Sequence, residues 1–174
     1  MKLAAPSARD LVSRYSVTLS PDAQVLEAID TLVRKKVAGA PVVDSRGKLV
    51  GVLTEKDCLR MLSQTTWDEV AGGRVADFMS ETSKIVDADM DVFEVAAAFL
   101  DTNFPVLPVL DGGTLVGRVT RQDVLHRVHV LNRELEKARE RREEQLRRLS
   151  PDSPELEALA APMSQRELYE LLAR

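Results

Sequence analysis

Two short segments of this chain carry residues suited to gripping a phosphorylated sugar: Thr54-Glu55-Lys56-Asp57 and Thr120-Arg121-Gln122-Asp123. In each, a threonine precedes an aspartate by three positions and follows an apolar run, Gly51-Val52-Leu53 or Gly117-Arg118-Val119. A threonine that leaves a strand and opens a helix stands beside backbone N–H groups without intrahelical partners. It also stands at the positive end of a helix dipole, a favourable place for a phosphate. The aspartate lies on the first helical turn, where its oxygens can accept from both hydroxyls of a ribose. The same spacing also describes a capping box, with Asp in place of Glu reaching back to the backbone of the cap. A single copy favours that purely structural reading, so the second copy carries the weight.

The elements that must position these motifs are duplicated with them. Sliding the chain by 67 positions superposes Asp10 on Asp77, Asp22 on Asp89, Glu27 on Glu94, Pro41-Val42 on Pro108-Val109 and Asp44 on Asp111. A deletion after Asp111 changes the offset to 66 and aligns Leu49-Val50-Gly51, Thr54 and Asp57 with Leu115-Val116-Gly117, Thr120 and Asp123. An internal repeat of this kind dictates the architecture. Each copy reads as helix, strand, long helix, hairpin, helix. Ser20-Pro21-Asp22 is expected to open a helix in which Val25, Ile29, Leu32 and Val33 share a face, matched by Val92, Val95, Ala96 and Phe99. Ser45-Arg46-Gly47 and Gly112-Gly113 supply the turns of two hairpins, whose return strands run from Lys48 to Leu53 and from Thr114 to Val119.

The duplicated pattern, the Pro-Val strands and Gly-x-x-Thr-x-x-Asp together resemble a tandem pair of CBS domains, the cystathionine-β-synthase-type module, over Ser7 to Arg127. The resemblance implies an α/β (α+β) fold in which two repeats pack through their sheets as a pseudo-twofold pair enclosing two clefts. Such clefts commonly hold adenine nucleotides or S-adenosylmethionine. It further implies ribose contacts for Asp57 and Asp123 and phosphate contacts for Thr54 and Thr120. Thr18 and the backbone just before Pro41 and Pro108, at Ala38, Gly39 and Val106, would frame the base. The expected organisation is a first repeat over 7–63, a linker over 64–74, a second repeat over 75–127 and a charged helical extension over 128–174.

Differences between the copies predict unequal clefts. Thr18 faces Ile85, Ala38 faces Pro105 with its missing N–H, Val52 faces Arg118 and Glu55 faces Arg121. Arg118 either contacts a phosphate or reaches past the strand end to solvent. Beyond residue 121 the pattern continues as one helix to about Ser150, with Val128, Leu131, Leu135 and Ala138 spaced as a short coiled-coil-like seam. Its alternating charges read as a solvated face. Ser164-Gln165-Arg166-Glu167 then starts a last amphipathic segment with Leu168, Leu171 and Leu172. Trp67 anchors the linker or meets a partner.

Composition narrows the function. The 174 residues are 44 % hydrophobic and 30 % charged with a net charge of −4, which gives no basic field for nucleic acid or anionic lipid. No apolar stretch reaches the length of a membrane span. The single Cys58, on an amphipathic helix, reads as a small core residue and points to a reducing, cytoplasmic setting. His126 and His129 lack further ligands for a metal. No nucleophile with a matching base is apparent. The expectation is a non-enzymatic sensor of AMP, ADP, ATP or S-adenosylmethionine, acting as a homodimer with no obligatory cofactor and signalling to a protein partner through its C-terminal helices. The alternatives are a dimerisation scaffold with vestigial clefts and a regulatory subunit of an enzyme or transporter.

Overall fold

The computed structural model describes residues 6–12, 17–64, 66, 73–81 and 84–148. The first repeat supplies α1 (Ala8–Leu11), α2 (Val25–Lys35), a hairpin of β1 (Gly39–Val43) and β2 (Leu49–Thr54), and α3 (Glu55–Gln64). The second supplies α4 (Val75–Phe78), β3 (Val86–Asp87), α5 (Val92–Leu100), a hairpin of β4 (Val106–Asp111) and β5 (Thr114–Thr120), and α6 (Arg121–Arg148). Both hairpins are antiparallel, and β3 joins β4 in parallel. In the first repeat the strand expected before α2 shrinks to Leu19, which bridges Val42. Each hairpin carries a register shift at the same place, Val42/Val43 and Val109/Leu110, so the irregularity was duplicated with the rest. At the first turn Asp44 accepts from the N–H groups of Arg46 and Lys48, both at 2.9 Å, while Gly47 takes φ 77°.

Helix α2 starts later than its sequence suggests. Ser20 to Asp22 forms a turn, and the helix begins at Val25 with Gln24 as its cap. The cause is distant: Gln24 bridges Arg74, and the Val25 N–H donates to Gly73 O at 3.0 Å. Its buried face is Val25, Ala28 and Leu32, whereas Val33 is 69 % exposed. In α5 the buried set is Val92, Val95, Ala98 and Phe99.

The two repeats exchange their opening helices. α4 inserts Val75 among Leu19, Ala28, Leu32, Val42 and Leu53 of the first repeat. α1 inserts Ala8 and Leu11 among Val86, Val92, Val95, Leu107 and Val119 of the second. Backbone bonds tie each helix to its host: Val75 N–H to Ala23 O at 3.0 Å, Ala8 N–H to Met90 O at 2.7 Å and Arg9 N–H to Ala88 O at 3.0 Å. Arg9 also pairs with Asp89 and Asp111, and this hydrogen-bonded guanidinium holds the Asp111 carboxyl below the usual carboxylate range. A fully buried valine contributes about 1.5–3 kcal/mol, so exchange makes each core depend on both repeats. The hairpins meet where a Cβ on Gly39 would lie 2.9 Å from Val106 Cγ1 and 3.0 Å from Leu53 O, an approach that only glycine permits.

Leu59, Leu62, Leu125 and Val128 are exposed on the outer faces of α3 and α6. Within the expected seam Leu131 is instead buried inside its own chain, because α6 packs along α1 and α5 at its start.

Candidate functional site

Both Thr-x-x-Asp segments form the capping box. The Thr54 N–H donates to Asp57 Oδ2 at 2.9 Å, and the Thr120 N–H to Asp123 Oδ2 at 2.7 Å. Each threonine hydroxyl donates to that same oxygen, and each aspartate N–H returns a bond of 3.2 Å to the threonine Oγ1. The cap consumes Oδ2 in both copies, so the chemistry rests on Oδ1.

There the copies part. Oδ1 of Asp57 accepts from Ser80 Oγ at 2.9 Å and from Arg60 Nη1 at 3.1 Å, and Asp57 is only 4 % exposed. Oδ1 of Asp123 has no partner among the described residues, and its side chain is half-buried. His126 occupies the position equivalent to Arg60 and is exposed. Ser13, equivalent to Ser80, lies outside the described residues.

The surrounding space differs in the same sense. The Asp57 cleft has a volume of about 90 Å³ and is lined by Thr54, Lys56, Asp57 and Arg60 of the first repeat and by Ser80, Asn103, Phe104 and Pro105 of the second. The Asp123 cleft measures about 390 Å³ and combines Lys36, Val37 and Ala38 of the first repeat with Pro105, Arg118, Thr120 and Arg121 of the second. Sites for small molecules occupy about 300–1,000 Å³, and only the larger cleft reaches that range.

Three cations face one carboxylate in the larger cleft. Arg118 has a buried Nε without a hydrogen-bond partner among the described residues, and an arriving anion would satisfy that donor. Arg121 is oriented from its own repeat: its guanidinium lies 5.5 Å over the Phe99 ring and donates to Thr102 O at 3.2 Å. Lys36 ends α2 in the left-handed conformation, φ 52° and ψ 48°, with its N–H bonded to Leu32 O and Val33 O. That cap turns the chain so that residues 36–38 line the cleft.

The structure gathers Ala38, Arg118, Thr120, Arg121 and Asp123 in one cleft and Thr54 and Asp57 in the other. Gly39 and Val106 pair with Thr54 and Thr120 in the ladders but fill the contact between the hairpins, outside both linings. Thr18 is exposed and lines neither cleft. Sequence reasoning missed Lys36, Arg60 and Ser80. The basic pair Lys35-Lys36 at a helix end was a usable signal for the first, whereas nothing local marks Ser80, which is 23 positions from Asp57.

Cys58 is packed in the first core at 8 % exposure. Burial, followed by the charge of Asp57, pushes its thiol up to about 11, the opposite of an activated nucleophile. His126 and His129 are exposed, and the described residues contain no group of three potential metal ligands. No helix among them is long and apolar enough to cross a membrane. Trp67 and the segment from Ser164 to Leu172 fall outside the described residues.

Comparison with known proteins identifies the fold. The CBS domain family model matches residues 8–64 and 75–130. The chloroplastic CBS domain-containing protein CBSX2 of Arabidopsis thaliana is 30 % identical over 144 residues, spanning 68 % of this chain and 60 % of CBSX2. Inosine-5'-monophosphate dehydrogenase of Aquifex aeolicus is 32 % identical over 113 residues, which cover 64 % of this chain and 22 % of that enzyme. This chain thus corresponds to only part of each relative's length. The structure of CBSX2 in complex with AMP superposes with a TM-score of 0.65 at 30 % identity, covering 72 % of this chain and 98 % of that one. The CBS domain pair of protein MJ0100, in complex with 5'-methylthioadenosine and S-adenosyl-L-methionine, gives 0.62 at 26 %, covering 71 % and 95 %. With two family matches that take in more than half of its residues, laid on two lobes that exchange helices, the chain belongs to the CBS-domain family and carries two CBS domains in tandem.

Proposed function

We propose that this chain is a non-catalytic regulatory module that binds an adenine nucleotide in the Asp123 cleft and works as a homodimer. The observation that carries the reading is an Asp123 Oδ1 with no partner among the described residues, in a cleft of about 390 Å³ that also holds Lys36 and an Arg118 whose buried Nε has no partner among them either. Ribose hydroxyls donate to Oδ1, phosphate lies toward Lys36, Arg118 and Arg121, and the base lies against Val37, Ala38 and Pro105. The complexes of CBSX2 with AMP and of the MJ0100 pair with adenosine derivatives support an adenine-containing ligand. Three cations favour AMP, ADP or ATP over S-adenosylmethionine, whose sulfonium adds positive charge.

Because the cleft draws residues 36–38 from one repeat and 118–123 from the other, a bound nucleotide favours one relative arrangement of the repeats. The exposed leucines of α3 and α6 form the face for a second copy, and the charged remainder of α6 is left to convey the bias to a protein partner. A cytoplasmic, reducing setting suits the single buried cysteine. The small, saturated Asp57 cleft favours the scaffold alternative for that side of the molecule.

The test is a thermal-shift panel of AMP, ADP, ATP, S-adenosylmethionine and NAD, followed by calorimetry. A ligand at a hundred times its Kd stabilises by about 2.7 kcal/mol. The phosphorylated adenosines are expected to raise Tm and to lose that effect in Asp123→Ala. A flat response across the panel overturns the sensor in favour of the scaffold.

A further inference from the structure

A ribose diol needs a carboxylate oxygen that is not already spent. In the Asp57 cleft both oxygens are: Oδ2 closes the helix cap, and Oδ1 accepts from Ser80 Oγ at 2.9 Å and Arg60 Nη1 at 3.1 Å. These are the two donors, one hydroxyl and one cation, that a phosphorylated sugar and its counter-charge would otherwise supply. We infer that Ser80 and Arg60 are a built-in occupant of the Asp57 cleft, and that they restrict this chain to one nucleotide, bound at Asp123. The inference rests on the reading of Asp123 as a ribose acceptor and extends it to the choice between clefts.

Three features fasten the occupant. The backbone of Ser80 is bridged to Val52 by bonds of 2.9 and 3.0 Å, so the hydroxyl is presented from a strand edge next to Thr54. Gly51 leaves the room for it, since a Cβ there would lie 2.9 Å from Ser80 O and 2.8 Å from Met79 Sδ. The residue also follows α4, the exchanged helix, whose Val75 is buried in the first core and whose Ala76 N–H donates to Pro21 O at 3.0 Å. Backing Ser80 away therefore requires α4 to shift in its host lobe. On the Asp123 side the contrast rests on the cation: the equivalent of Arg60 is the exposed His126, the equivalent of Ser80 is Ser13, outside the described residues, and Oδ1 has no partner among those described.

The test is the stoichiometry of AMP binding by isothermal titration calorimetry on the full chain. Wild type is expected to bind one equivalent, which Asp123→Ala weakens about ten- to a hundredfold. The double variant Ser80→Ala, Arg60→His is expected to bind two, of which one survives the further change Asp123→Ala. Should the double variant fail to fold by circular dichroism, Ser80→Ala alone, which removes a single hydroxyl, carries the same expectation of a second, weaker equivalent. Two equivalents in wild type, or an unchanged count in the opened variants, overturn the inference. An unchanged count of one that still depends on Asp123 leaves the nucleotide reading intact, whereas no binding in any variant removes both.

Discussion

The sharpest prediction separates two aspartates that sequence motifs treat as equals. Asp57→Ala removes the acceptor of the Thr54 N–H, the Thr54 hydroxyl and the Ser80 hydroxyl, and Thr54 is only 3 % exposed. A stranded buried donor costs about 1–3 kcal/mol. The two Thr54 donors have little access to water, while Ser80 can turn toward the small cleft, so the total comes to about 3 kcal/mol. At about 2–4 °C per kcal/mol for a chain of this size, Tm should fall by about 6–12 °C. Asp123→Ala breaks the same cap in a half-exposed setting, where losing a helix cap costs about 1 kcal/mol. Its main loss is one charge-assisted bond to ribose, about 1.5–3 kcal/mol, which is about ten- to a hundredfold in Kd. Urea denaturation with unchanged m-values measures the first effect, and calorimetric titration with AMP the second. The reasoning fails if Asp57→Ala melts with wild type, or if it loses more AMP affinity than Asp123→Ala does.

Three further outcomes follow from the same geometry. Arg118→Val and Lys36→Ala should each reduce the preference for ATP over AMP about tenfold, measured as the ratio of the two Kd values, because each removes a cation facing the phosphates. The Cys58 thiol, raised to about 11 when folded, contributes stability that is complete below about pH 9 and is lost as the pH climbs toward 11. Denaturation series at rising pH should show that decline in wild type and not in Cys58→Ala, and the folded protein should resist thiol reagents at pH 8. Leu59→Glu with Leu125→Glu should halve the mass found by light scattering, since both leucines are more than 60 % exposed on the outer faces. A wild-type mass of one chain would refute the dimer, and an unchanged mass in the variant would move the interface elsewhere.

Local chemistry was legible in the residues alone. Thr54 and Asp57, or Thr120 and Asp123, lie three positions apart, within one helical turn, so the cap forms wherever a helix starts there. The hairpin turns at Gly47 and Gly112-Gly113 and the long α6 follow from equally short-range rules of backbone freedom and propensity. The duplication then carried local features of one repeat into the other, including its register shift. Tertiary structure decided what the copies do differently. α2 starts at Val25 because the chain around Gly73 pairs with it, Val33 faces solvent because Ala28 takes the inner place, and Leu131 is used by its own chain. The exchange of α1 and α4 is invisible to periodicity, since an apolar face records that it is buried and not in which repeat. The fate of the second aspartate oxygen depends on Ser80 from 23 positions away, as Arg9 reaches Asp111 across 102. A capping residue meets its partner by helix geometry alone, but a donor that arrives from another lobe is placed only by the packing of the whole chain.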